Sequence, residues 1–180
     1  MIETIKQCFD SLPKCGLSER LRKLKLGTRA IIGYKRIDGT FIGGWQWNDG
    51  MGLAPLLKKH VNTVEMVDIL IHNGVWNTIC SLYDKQLLEM FSDFSSRPNS
   101  FYYTVEAGNC FLLKERPCDN AEFCFGGDDG ITIEHGALVF DSFIRAVHQD
   151  ASYIYEFNCN TRNWKTYTPK MLISMCAKSM

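Results

Sequence analysis

The stretch Arg29–Lys59, RAIIGYKRIDGTFIGGWQWNDGMGLAPLLKK, carries the strongest structural signal in this chain. Asp38-Gly39 separates two apolar alternating runs. It predicts a β-hairpin closed by a type I′ turn, which needs positive φ at both central residues, a demand that Asp and Gly tolerate. Asp49-Gly50 ends the second strand in another turn, and an apolar segment follows. The second strand carries Trp45 and Trp47 on either side of Gln46, so both rings share one face. Gly43-Gly44 just before them marks a bulge or a close approach of another backbone. Without a bulge, Phe41, Gly43, Trp45 and Trp47 lie on one face; with one, Phe41 moves to the opposite face.

On the N-terminal side, Ile2, Ile5, Phe9 and Leu12 recur at helical spacing before Pro13, and Ser18 caps a second short helix ending at Gly27. On the other side, Asn62 precedes TVEMVDILIHNG with Glu65 three residues on, a capping-box pattern closed by Gly74. The run VWNTICSLYDKQLLEMFSDF predicts a further helix over 75–94. The loop SSRPNS (95–100) then joins an α-rich part, 1–94, to a β-rich part, 100–168. In the latter, FYYTVEAG, NCFLLKER, AEFCF and GITIEHGALVF predict an antiparallel meander. DSFIRAVHQ reads as a short helix capped by Asp141. YIYEFN and WKTYT form a last hairpin, and PKMLISMCAK a final helix with Pro169 in its first turn. The expected class is α+β: N-terminal helices and a mixed, mostly antiparallel sheet, in one domain spanning 1–180.

Bulk composition narrows the function. The 180 residues are 46% hydrophobic and 22% charged, and 20 basic side chains balance 20 acidic ones. No net charge means no general grip on nucleic acid or an acidic membrane. The cluster Arg20, Arg22, Lys23, Lys25 reads as the solvated face of a helix. No stretch reaches the length of a membrane span. MIETIKQCFD lacks the features of a secretory signal, which predicts a cytoplasmic protein with reduced thiols among its eight cysteines.

Three constellations could carry chemistry. Cys110 with His135 is the minimum for a cysteine nucleophile, and EHGALVF looks like the strand after the catalytic histidine of papain-like proteases. Yet Cys110 precedes a strand-like run, not the helix start that lowers a thiol pKa. Cys110, Cys118, Cys124 and His135 could ligate zinc, but they lack the C-x₂₋₄-C knuckle that presents two ligands from one turn. Buried free cysteines are the simpler reading, with no metal and no cofactor. FGGDDG (125–130) has two carboxylates among glycines, and a turn accounts for it.

The tryptophans give the remaining candidate. Large rings on a strand are usually core, but Trp is over-represented at interface hot spots. Trp47 lies nearest the Asn48-Asp49-Gly50 turn. Trp45, Trp47 and Asp49 are therefore the expected protein-binding residues, with Trp47 as the exposed ring.

The segment from Cys8 through Leu26-Gly27, the hairpin residues Gly33, Tyr34, Asp38 and Gly39, the aromatic strand and Asp49-Gly50 resembles the SUKH superfamily, above all its branch in large DNA viruses such as β-herpesviruses. GITIEHGALVFDSFIRAV is similar to the late strand and short helix of that superfamily. The helical run 75–94 and the cysteine-rich meander depart from it. The resemblance implies a protein-binding module without enzymatic activity. Bacterial members bind toxins, and viral members act on host defence and cell-death proteins, so a host or rival protein is the implied partner.

Overall fold

The computed structural model describes residues 28–98, 100–116 and 120–179. The two helices expected before residue 28, Cys8, Leu26-Gly27, the basic cluster Arg20–Lys25 and Cys118 lie outside the described residues.

The hairpin forms from β1 (Ala30–Lys35) and β2 (Phe41–Gln46). Its register runs unbroken from Lys35↔Phe41 to Ala30↔Gln46, so no bulge interrupts Gly43-Gly44. Gly44 serves a close approach: a Cβ there would sit 2.3 Å from the Trp76 ring. The turn differs from the expected type I′. Only Gly39 has positive φ in it (+90°), and its N–H donates to the Arg36 carbonyl at 3.1 Å. Ile37 and Asp38 therefore form a type I turn with Gly39 left-handed after it, a three-residue loop. The Asp38 carboxylate accepts from Thr40 N and Oγ1 (2.9 and 2.7 Å), which holds it on the near side of the loop.

After the second turn come α1 (Ala54–His60), which sequence periodicity does not single out, and α2 (Val64–Ile71). The α2 cap is Thr63, whose Oγ1 accepts from Met66 N at 3.2 Å, one residue beyond the expected Asn62. The helix expected over 75–94 is mostly strand at its start: β3 (Val75–Trp76) and β4 (Thr78–Ser81) precede α3 (Lys85–Ser96). Val75, Trp76, Thr78 and Ile79 are β-branched or aromatic, and pairing with strands far off in sequence decides the apolar run. β5 (Tyr102–Ala107) and β6 (Cys110–Glu115) form the expected hairpin.

AEFCF is not a strand but the short helix α4 (Ala121–Phe125), started by Asn120 Oδ1 accepting from Glu122 N. GITIEHGALVF is not one strand but the hairpin of β7 (Ile131–Glu134) and β8 (Ala137–Phe140). His135 (φ 50°) and Gly136 (φ 91°) are both left-handed between them. The primed two-residue turn expected at Asp38-Gly39 is thus found here. α5 (Phe143–Val147) is capped by Ser142, not Asp141. β9 (Tyr153–Asn158), β10 (Asn163–Tyr167) and α6 (Pro169–Ser179) follow the expected order.

The strands do not form one meander. The large sheet runs β10-β9-β1-β2-β8-β7, with β3 sharing the β8 side of β2; the small sheet runs β4-β6-β5. Pairing is antiparallel except at β1·β9 and β2·β3. The class is α+β, with strands on both sides of the 95–100 loop. Alternation along β1 and β2 divides the core. Ile32 and Ile42 face α1 and α2 through Leu57, Val67 and Leu70; Ile31, Phe41 and Trp45 face α4, α5 and α6 through Phe125, Phe143 and Leu172.

Candidate functional site

The three-residue loop sets what stands beside the tryptophans. Counting back from Lys35↔Phe41 to Ala30↔Gln46, one further step puts Arg29 opposite Trp47. A two-residue loop of Asp38-Gly39, flanked by Ile37 and Thr40, would put Ala30 there. The guanidinium of Arg29 lies over the Trp47 ring, 5.5 Å from its centroid, and pairs with Asp150. Trp45 and Trp47 meet edge to face at 5.4 Å, and Phe125 packs on both, at 5.1 and 6.5 Å. Trp45 is core, 2% exposed, and Trp47 is partly buried at the margin of the same cluster.

Asp49 follows in the left-handed conformation (φ 57°), which a non-glycine residue rarely adopts. Burial holds its carboxyl above the usual carboxylate range, a push that the hydrogen bond from Thr78 Oγ1 (3.3 Å, to Oδ2) opposes. A polar chain runs beside it where the two sheets join. Trp76 Nε1 donates to Gln46 Oε1 (2.9 Å), Gln46 Nε2 to the Asn48 carbonyl (2.5 Å), Asn48 Nδ2 to Asn77 Oδ1 (2.8 Å) and Asn77 Nδ2 to Glu115 Oε2 (3.2 Å).

Against that satisfied chain, three buried polar atoms have no hydrogen-bond partner among the described residues: Trp45 Nε1, Trp47 Nε1 and Asp49 Oδ1. A buried group left unpaired costs about 1–3 kcal/mol. The structure therefore brings the three residues expected from the sequence, Trp45, Trp47 and Asp49, to one end of β2. It adds Arg29, Phe125 and Asp150, which sequence reasoning misses. Arg29 is within reach of a correct count across the hairpin; Phe125 and Asp150 arrive by tertiary packing and carry no local signal.

Cys110 and His135 are not brought together. Cys110 is fully buried in β6, and burial pushes its thiol up to about 12. His135 is an exposed turn residue whose ring faces His72 at 6.3 Å. Lys114, further along β6, reaches the carbonyl of Asn73 beside His72 with its side chain (2.6 Å), and Cys110 lies about 13 Å from Lys114 along the strand. Of the candidate zinc ligands, Cys118 lies outside the described residues, and Cys110 and His135 stand apart. Cys124 packs against the second core from α4, and among the described residues no three His, Cys, Asp or Glu side chains are placed to hold a metal ion. FGGDDG is a turn: Asp128 N donates to the Phe125 carbonyl and Ile131 N to the Asp128 carbonyl. No described helix is long and apolar enough to cross a membrane. Compared with protein-family models, with curated proteins and with solved structures, the chain matches none.

Proposed function

We propose that the chain is a non-enzymatic protein-interaction module that binds its partner through the Trp47 end of β2. The observation that supports this is the marginal position of Trp47, partly buried and stacked under Arg29, beside two unpaired buried atoms of its neighbours. Trp and Arg are the residue types that dominate interface energetics. The high pKa of the sealed Cys110 thiol favours this reading over thiol chemistry, since the thiolate is the nucleophile. With the resemblance to the SUKH superfamily, the reading extends to a viral antagonist of host defence or cell-death proteins, acting in the cytoplasm or nucleus of the host cell.

The test is Trp47→Ala, followed by thermal melts and by affinity capture with mass spectrometry. A hot spot loses about 2 kcal/mol or more of binding on truncation. The stability loss should stay below the roughly 3–5 kcal/mol of a core tryptophan. A core-sized loss of stability with an unchanged set of captured proteins would refute the reading, and so would selective labelling of native Cys110 by a thiol-directed activity probe.

A further inference from the structure

Away from the Trp47 margin, two imidazoles meet where the C-terminal end of α2 touches the β7–β8 turn. His72 is the C-cap of α2, and His135 is the first residue of the turn. Both are exposed, and their ring centres lie 6.3 Å apart. The two segments press together backbone to backbone. A Cβ on Gly136 would sit 2.5 Å from the His72 carbonyl oxygen, and one on Gly74 would sit 2.4 Å from the Gly136 carbonyl oxygen. With glycine at both contacts no side chain holds the backbones apart, and the fold fixes how far the two histidines stand from each other.

Hydrogen bonding also sets the tautomer of His72. Its Nδ1 lies 2.7 Å from the Asp68 carbonyl oxygen, which only accepts, so in the neutral ring Nδ1 carries the proton and Nε2 the lone pair. A ring held in this way by a backbone carbonyl is the common arrangement of a metal-ligating histidine. A zinc ion at about 2.0–2.1 Å from an imidazole nitrogen lies roughly 3.2 Å from the ring centre, so two rings on one ion have centres up to about 6.4 Å apart. The observed 6.3 Å falls inside that limit.

We propose that His72 and His135 chelate a transition-metal dication of the zinc type, with water in its remaining positions. Imidazole nitrogen suits zinc, copper and nickel, whereas magnesium and calcium take oxygen ligands. The ion stands at the C-terminal end of α2, where the helix dipole favours positive charge. Of the charged groups nearby, Arg36 is paired with Glu134 (2.6 Å) and Lys114 Nζ donates to the Asn73 carbonyl (2.6 Å). Glu134 stays on Arg36 and supplies no third ligand, in keeping with the lack of any three-residue metal cluster among the described residues. Two protein ligands make an open, exchangeable site, unlike the closed four-ligand sites of structural zinc.

The test titrates zinc chloride into the full chain, with magnesium chloride as control, and follows it by calorimetry and by NMR of the imidazole nitrogens. One equivalent of zinc should bind. Nε2 of His72 and one ring nitrogen of His135 should shift together, while His60 and His148 stay unmoved. His135→Asn, which suits a type I′ turn, and His72→Gln should each weaken zinc binding about tenfold or more. Each should also remove the rise in melting temperature that zinc gives the parent chain. Melts without zinc show whether the variants fold, and His135→Asn decides alone if His72→Gln does not. Zinc held by thiols, with both imidazole signals unmoved, would overturn the proposal. So would no zinc binding at all, or an affinity lost in one folded variant and kept in the other, the mark of a single adventitious imidazole.

Discussion

Gly44→Ala should destabilise the protein, although alanine is intrinsically the better strand residue. The new Cβ would lie 2.3 Å from both Cη2 and Cζ3 of Trp76. Carbon atoms rest near 3.5 Å, so the ring or the strand must give by about 1.2 Å. Neither moves freely. Trp76 is fully buried, its N–H is held by Gln46 Oε1 at 2.9 Å, and Gln46 is itself fully buried. β2 is flanked by β1 on one side and by β3 and β8 on the other. Alanine gains roughly 0.5–1 kcal/mol over glycine through chain entropy. Overpacking costs roughly 1–3 kcal/mol, and a ring that breaks its bond to Gln46 leaves buried groups unpaired at about 1–3 kcal/mol more. The clash wins, and the expected net loss is about 2 kcal/mol, read as a lower urea midpoint with unchanged slope. Trp76→Leu in the same chain removes the atoms at fault. The double-mutant cycle should then show a favourable coupling between the methyl group added at position 44 and the smaller side chain. A Gly44→Ala variant as stable as the parent, or no coupling with Trp76→Leu, would refute the packing argument.

Three further outcomes are expected. Gly39→Val should cost about 1–3 kcal/mol in denaturant unfolding through backbone strain alone, because φ is +90° and nothing lies within 4 Å of the new Cβ. Cys80 and Cys110, both pushed up to about 12 by burial, should resist iodoacetamide in the native state and react on unfolding, as peptide mass mapping will show. Their folded pKa values exceed the ordinary 9.0, so the stability they contribute is complete below about pH 9 and is lost as pH rises towards 12; replacing both by alanine should flatten that stretch of the stability profile. His135→Asn should be neutral or slightly stabilising in thermal melts, since Asn suits a type I′ turn, whereas Gly136→Val should destabilise through φ +91° and a Cβ 2.5 Å from the His72 carbonyl oxygen.

What the sequence reveals follows the range over which its signals act. The 102–115 and 153–167 hairpins and the final helix are legible because turn residues and alternation are local. Residues 75–81 mislead because an apolar run bounded by polar residues fits a helix and a buried strand equally, and only pairing with β2 and β6 decides. The break inside GITIEHGALVF is hidden because His135 is not a usual turn residue, yet histidine is among the residues that tolerate left-handed φ. The parallel β1·β9 contact joins residues from opposite ends of the described chain, and no local pattern announces it.

The candidate site shows how a small local error reaches function. Trp45 and Trp47 are legible because period-two alternation does not depend on the turn, and Asp49 because it closes the strand. Arg29 is hidden when the loop is taken as two residues long. In a hairpin, one residue of loop length shifts every cross-strand partner by one position. Here the shift exchanges Ala30 for Arg29 opposite Trp47, a methyl group for a guanidinium. Two forces compete over that register. Asp-Gly favours the two-residue loop, whereas the core favours the longer one, because it places Ile31 with Phe41 and Trp45 and Ile32 with Ile42. β1 is also held on its far side, in parallel register with β9. Asp38→Asn sharpens the contest, since Asn-Gly is the stronger type I′ sequence. The core should still win, because a slip would disturb burial all along β1 to improve a single turn. Cross-strand backbone NOEs should therefore keep Lys35 opposite Phe41. NOEs that pair Lys35 with Ile42 would show that turn chemistry and not the core sets which residue faces Trp47.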